Sequence, residues 1–275
     1  MALPVAIQLY SLRDQLEKDF RGTLEAVKKM GYDGVEFAGL CGNKPEDVKK
    51  MLDEIGLVAI SSHVTIGEYV NEGIDEVLEK YKTIGCKYVA VPYLDDECRP
   101  GAARYAETLD MMRKIGEAAA EKGMTQLYHN HDFEFKTKVN GKYGLEDIYD
   151  TIPAEYLKSE LDTCWVNIGG EVPAEYILKY TGRAPIVHLK DFYMTGSLPK
   201  HLYALIGIED NAEEEESTFE FRPVGHGMQD MPAILASSVK AGAEWVVVEQ
   251  DDPTPGSDPI ECATKSITYL KNLEW

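Results

Sequence analysis

Acids and imidazoles in this chain recur at one kind of place, directly after short apolar runs rich in β-branched residues. Gln8 lies near the end of the first such run and Arg13 beyond it, Glu36 lies near the end of the second, and His63 follows the third. The string His129-Asn-His131-Asp-Phe-Glu134 closes another, and Asp162, His188 and Glu249 close three more. Five of the six histidines fall at such ends or, like His226, in a long stretch that follows one of them. Carboxylates crowded at low dielectric repel one another strongly, and a divalent cation removes that difficulty. Carboxylate-rich sets with one imidazole suit Mn²⁺, Mg²⁺ or Co²⁺, and Zn²⁺ is also compatible. Taken singly, each residue has a plain alternative: Asp162 as a helix N-cap, His188 as a satisfied core histidine, Glu249 as the partner of a lysine. Their shared position in one architecture favours chemistry.

The runs that would position them are Val5–Leu9, Gly34–Phe37, Val58–Ser62, Tyr88–Pro92, Gln126–Asn130, Lys158–Asp162, Ile186–Lys190 and Trp245–Glu249. Amphipathic segments lie between them, including Thr23–Met30, Pro45–Ile55, Ile74–Ile84, Ala103–Lys122 and Pro232–Ala241. Gly31, Gly56, Gly85, Gly123 and Gly242 each follow a last helical turn and precede a strand. This helix–Gly–strand unit is the junction of a parallel sheet. Eight strands in 275 residues predict a single (β/α)₈ TIM barrel spanning 1–275, with a doubly wound open sheet as the alternative. In a barrel the strand ends above form one mouth. Strand alternation puts His129 and His131 on one face, and Lys190 on the face of His188. One connection is oversized, around 192–230, and contains the acidic run Glu209–Glu216; a solvated loop is the plain expectation, a lid or partner contact the other.

Four strings carry a resemblance: YHNHDFEF (Tyr128–Phe135), LDTCWV (Leu161–Val166), VHLKDF (Val187–Phe192) and VVVEQD (Val246–Asp251). Together they resemble the sugar phosphate isomerase/epimerase family, within the xylose isomerase-like TIM barrels. The resemblance runs from IQLYSLR (Ile7–Arg13) to SITYLK (Ser266–Lys271). It implies one divalent metal, Mn²⁺ first, held by Asp162, His188, Glu249 and a residue of the fifth strand. Many members have Glu-Asn-His there, with the Glu as ligand, whereas this chain has His129-Asn-His131. Glu134 is the preferred fourth ligand because it restores three carboxylates and one imidazole; His129 is the alternative. Where members commonly have Gly-Glu-Gly, this chain has Gly225-His226-Gly227.

The resemblance further implies proton transfer beside a carbonyl through an enediolate whose charge a metal stabilises. His131 is the first choice of acid/base, with His129, Glu249 and Lys190 beside it. Glu36, His63, Trp165 and His226 are expected to bind substrate, with Tyr10 and Trp165 as an apolar wall or, more plainly, as core. No phosphate-binding glycine loop is present. The expected activity is therefore isomerisation or epimerisation of an unphosphorylated sugar or keto-sugar. The alternatives are a lyase on an oxidised sugar or cyclitol (a keto-inositol dehydratase or a 3-keto-glycoside eliminase) and a non-catalytic barrel or partner-dependent subunit.

Composition bounds the rest. With 28 basic and 48 acidic residues the net charge is −20, which disfavours nucleic acid and anionic membranes and argues against an endonuclease of the same superfamily. Five scattered cysteines form no C-x-x-C pair, so neither a disulfide framework nor a zinc knuckle is expected. No secretory signal or membrane-length apolar run is visible, so a cytoplasmic location is expected. A homo-oligomer or a partner subunit is compatible with all of this.

Overall fold

The computed structural model describes residues 2–196, 203 and 218–275. Its framework is eight parallel strands: β1 (Val5–Gln8), β2 (Gly34–Phe37), β3 (Val58–Ser62), β4 (Tyr88–Val91), β5 (Thr125–His129), β6 (Lys158–Asp162), β7 (Ile186–Leu189) and β8 (Trp245–Val248). Pairing runs β3-β2-β1-β8-β7-β6-β5-β4. The seam between β3 and β4 is narrowed by a bridge between His63 and Ala90 and by Val64 N–H donating to Ala90 O at 2.8 Å. The result is a near-closed TIM barrel, not an open sheet.

Helices return the chain between strands, among them Phe20–Met30, Pro45–Ile55, Ile74–Ile84, Tyr105–Glu121, Met231–Ala241 and Pro259–Asn272. The junction glycines act as expected. Gly31 and Gly85 stop their helices at φ 105° and 103°, a backbone state that costs a side chain dearly.

Strand alternation sorts the barrel interior into layers. Ala6, Ile60, Tyr88, Ala90, Leu127, Ile186 and Val247 pack together as an apolar floor. Towards the C-terminal ends of six of the strands the inward positions turn polar: Gln8, Glu36, His129, Glu160, His188 and Glu249, all buried. Register aligns Gln8 with Glu36, His129 with Glu160 and Asp162 with His188. The polar set therefore forms one ring at the C-terminal end of the barrel, where such folds carry their sites.

After β7 the chain enters an antiparallel ribbon in which Asp191–Thr195 pairs with Thr218–Arg222. Asp191 anchors the turn beyond it, accepting from Gly225, Gly227, Gln229 and Phe192 N–H groups at 2.9–3.2 Å. The acidic run Glu209–Glu216 lies outside the described residues. All five cysteines are free. Among the described residues no helix is long and apolar enough to cross a membrane.

Candidate metal centre and active site

At the mouth, β5 offers His129 and then His131, β6 Asp162, β7 His188 and then Lys190, and β8 Glu249 followed by Asp251. One donor atom each from His129, Asp162, His188 and Glu249 lie within 4.8 Å of one another. His188 Nδ1 is 2.9 Å from Glu249 Oε2; His129 Nε2 is 3.7 Å from Asp162 Oδ2 and 4.0 Å from Glu249 Oε2. Asp162 divides its work. Its Oδ1 caps the following helix by accepting from Trp165 N–H at 2.9 Å, while Oδ2 is buried with no hydrogen-bond partner. A buried carboxylate oxygen left open among two imidazoles and a second carboxylate is a donor set that fits a divalent cation.

Glu134 is not part of this cluster. The short helix Phe133–Lys136 turns it back beneath the strand end. There Oε1 accepts from Tyr128 O–H at 2.6 Å and Oε2 from His131 N–H at 2.9 Å. Both oxygens are committed and fully buried, and burial pushes its carboxyl up to about 8. The fifth-strand member of the cluster is His129, so the donor set is two imidazoles and two carboxylates.

Charge is distributed unevenly around the centre. Burial drives His129 down to about 4 and His131 well below its ordinary value, so both imidazoles are neutral. Burial acts the same way on His188, but Glu160, Glu36 and Glu249 outweigh it and hold this imidazole well above its usual range. Burial also opposes the charge on Lys190, yet its acid partners keep it protonated. Its ammonium sits 2.7 Å from Asp251 Oδ2 and 3.1 Å from Glu249 Oε2. Burial raises Asp162 to about 7 and Asp251 to about 6, each against the pull of Lys190.

A cavity of about 430 Å³ opens above the cluster. Its polar side carries His63, His129, His131, Lys190, Glu249 and Asp251; Tyr10, Pro92 and Tyr93 form an apolar side.

A family model for xylose isomerase-like TIM barrels matches residues 24–273. The chain belongs to this family. An inosose dehydratase from Clostridium botulinum is 25% identical over 93% of this chain and 90% of that protein. One from Lacticaseibacillus casei is 22% identical over 92% and 89%. Among solved structures, a sugar phosphate isomerase/epimerase from Parabacteroides distasonis superposes with a TM-score of 0.77 at 22% identity, covering 98% of this chain and 94% of its own.

Within this xylose isomerase-like barrel the remaining expected site residues divide. His63 lines the cavity; Glu36 does not, being fully buried below it with Gln8 Nε2 donating to it at 3.0 Å. Trp165 is also fully buried and serves as backing, stacked on His131 with ring centroids 5.1 Å apart. Tyr93 meets the His131 ring edge-on at 5.1 Å, so that imidazole is clamped. His226 is exposed on the turn held by Asp191, its ring 6.4 Å from that of Tyr269, and it does not line the cavity. Arg13 closes the rim by donating to Tyr10 O, Asp251 O and Asp252 Oδ1.

Two residues of the ring were not singled out from sequence. Glu160 lies two positions before Asp162, and Asp251 two after Glu249. Alternation alone places both inward, so the signal was present in ELD and EQD.

Proposed function

We propose that this chain is a divalent-metal-dependent enzyme of sugar or cyclitol metabolism. It would remove the proton beside the carbonyl of an unphosphorylated keto-sugar or keto-cyclitol and expel a leaving group from the neighbouring carbon. The observation that carries it is the cluster of His129, Asp162, His188 and Glu249 at the base of a cavity with a neutral imidazole and an ammonium in its wall. A cation held by those four residues would supply Lewis-acid stabilisation of the charge that develops on substrate oxygens.

The rest of the chemistry falls to the chain itself. His131 is the base: its ring is clamped by Trp165 and Tyr93, burial keeps it neutral, and its Nδ1 has no hydrogen-bond partner. The C–H electrons become the new C=C bond as the proton passes to His131 and the C–O bond of the next carbon breaks. The Lys190 ammonium, paired with Asp251 Oδ2 at 2.7 Å, provides the proton that the departing oxygen requires. Phosphate is disfavoured at this site. Glu68, Glu249 and Asp251 also line the cavity, and two of them already engage Lys190.

Sequence alone ranked isomerisation first. Relatives named inosose dehydratases that align over about nine-tenths of their length support elimination at least as well. The asymmetric walls also suit it, since elimination pairs one base with one acid. Epimerisation is the second reading, supported by a structural neighbour titled L-ribulose 3-epimerase, with a TM-score of 0.68; it would need the Lys190 side to return the proton to carbon. The test is incubation with Mn²⁺ or Co²⁺ and a panel of keto-cyclitols and ketohexoses, followed by mass spectrometry and NMR. An unsaturated product lighter by one water supports elimination, an epimer of unchanged mass supports the second reading, and no conversion with any ketone defeats both.

A further inference from the structure

Below the four candidate ligands lies a second tier of charge that the chemistry above leaves unused. His63 Nε2 and His129 Nδ1 both approach Glu160 Oε1, at 2.6 and 3.1 Å. Gln8 Nε2 and His188 Nε2 both approach Glu36 Oε2, at 3.0 and 2.8 Å. His188 Nε2 also stands 3.2 Å from Glu160 Oε1. Glu36 and Glu160 are fully buried and outside the cavity lining.

Of these imidazoles, His129 has two differently employed nitrogens. On His129, Nδ1 faces Glu160 and Nε2 faces Asp162 and Glu249. His188 does not divide in this way: its Nδ1 is hydrogen-bonded to Glu249 Oε2 at 2.9 Å, and its Nε2 stands 2.8 Å from Glu36 Oε2 without hydrogen-bond geometry. A nitrogen held against a carboxylate oxygen keeps its hydrogen, which leaves the opposite nitrogen of a neutral ring with the lone pair. We infer that Glu160 is a positioning residue for metal binding: it fixes His129 in the tautomer and ring orientation that offer Nε2 to the cation. The inference rests on the metal-dependent reading of the site.

His63, His129, Glu160 and His188 also bring donor atoms within 4.8 Å of one another and could be taken as a second cation site. The distances favour the other assignment. Three imidazole nitrogens converge on the single oxygen Glu160 Oε1 at 2.6–3.2 Å, which is the spacing of donors around an anion.

The test has a readout that needs neither metal nor substrate. In ¹⁵N-histidine NMR of the metal-free wild type, His129 is expected as the Nδ1–H tautomer; an Nε2–H signal overturns the assignment outright. In Glu160→Leu the His129 tautomer is expected to become mixed, with Co²⁺ or Mn²⁺ affinity about 10–100-fold weaker. Glu160→Gln, whose amide oxygen still accepts, should recover the Nδ1–H signal and most of the affinity. If Glu160→Leu does not fold, the wild-type spectrum and the Gln variant decide alone. Unchanged tautomer and affinity in folded Glu160→Leu, or two ions bound per wild-type chain, would overturn the inference. A wild type with the expected tautomer that binds no divalent ion would instead defeat the proposed function.

Discussion

Replacing Glu134 by Gln should leave the metal centre intact and change how stability depends on pH. Burial holds this carboxyl at about 8 in the fold against its ordinary 4.5, so the folded chain retains a proton that the unfolded chain has released. The stability this contributes is complete below about pH 4.5 and is lost as pH rises towards 8. At about 1.4 kcal/mol for each pH unit, the interval is worth at most roughly 5 kcal/mol. Gln is nearly isosteric: its amide oxygen can accept from His131 N–H and its amide nitrogen can donate to the Tyr128 oxygen, so the contacts at 2.9 and 2.6 Å survive in altered form. Urea unfolding of both proteins in chelator, from pH 5 to pH 9, isolates the group because other titrations are common to both. The variant should gain on the wild type by at least about 2 kcal/mol across that range. A difference that does not vary with pH would refute the buried, protonated Glu134.

Three further outcomes follow from the same geometry. His129→Ala should lose at least tenfold in metal affinity by competition titration, whereas Glu134→Gln should hold metal as the wild type does; the reverse result would restore Glu134 as the ligand. Lys190→Met should abolish turnover with metal content retained, and in chelator it should cost about 3–5 kcal/mol because Glu249 and Asp251 lose their cation; unfolding curves and metal analysis check the two halves separately. Gly227→Ala places a Cβ 2.2 Å from Asp191 Oδ1 and 2.4 Å from Phe192 O. It should lower stability by about 1–3 kcal/mol, and an unperturbed unfolding midpoint would show that the ribbon does not depend on this contact.

The barrel was legible because its signal repeats: each junction glycine and each alternating run states the same period, and small errors of one residue at strand ends do not accumulate. The members of the ring that lie on strands inherit that legibility. His129, Asp162, His188 and Glu249 stand where a period of two puts them, and Glu160 and Asp251 were available to the same rule. Glu134 was not. It lies past the strand, and its direction is set by the turn at Phe133–Lys136 and by Tyr128 beneath it, contacts that no periodicity encodes. His226 failed for a related reason, since Gly225 and Gly227 serve as N–H donors to Asp191 and leave the side chain between them facing solvent. Trp165 was placed near the correct neighbours but behind His131, because a residue that follows a strand end by three positions on a helix turn no longer points into the mouth.

Hydrogen exchange at carbon tests the central claim most directly. The protein, loaded with Mn²⁺ or Co²⁺ and then freed of excess ion, is incubated in D₂O with a keto-cyclitol, and deuterium beside the carbonyl is followed by mass spectrometry against chelated enzyme and His131→Ala. Metal-dependent incorporation or elimination that His131→Ala abolishes is the predicted result. Equal exchange with and without metal, or an unimpaired His131→Ala, would contradict it.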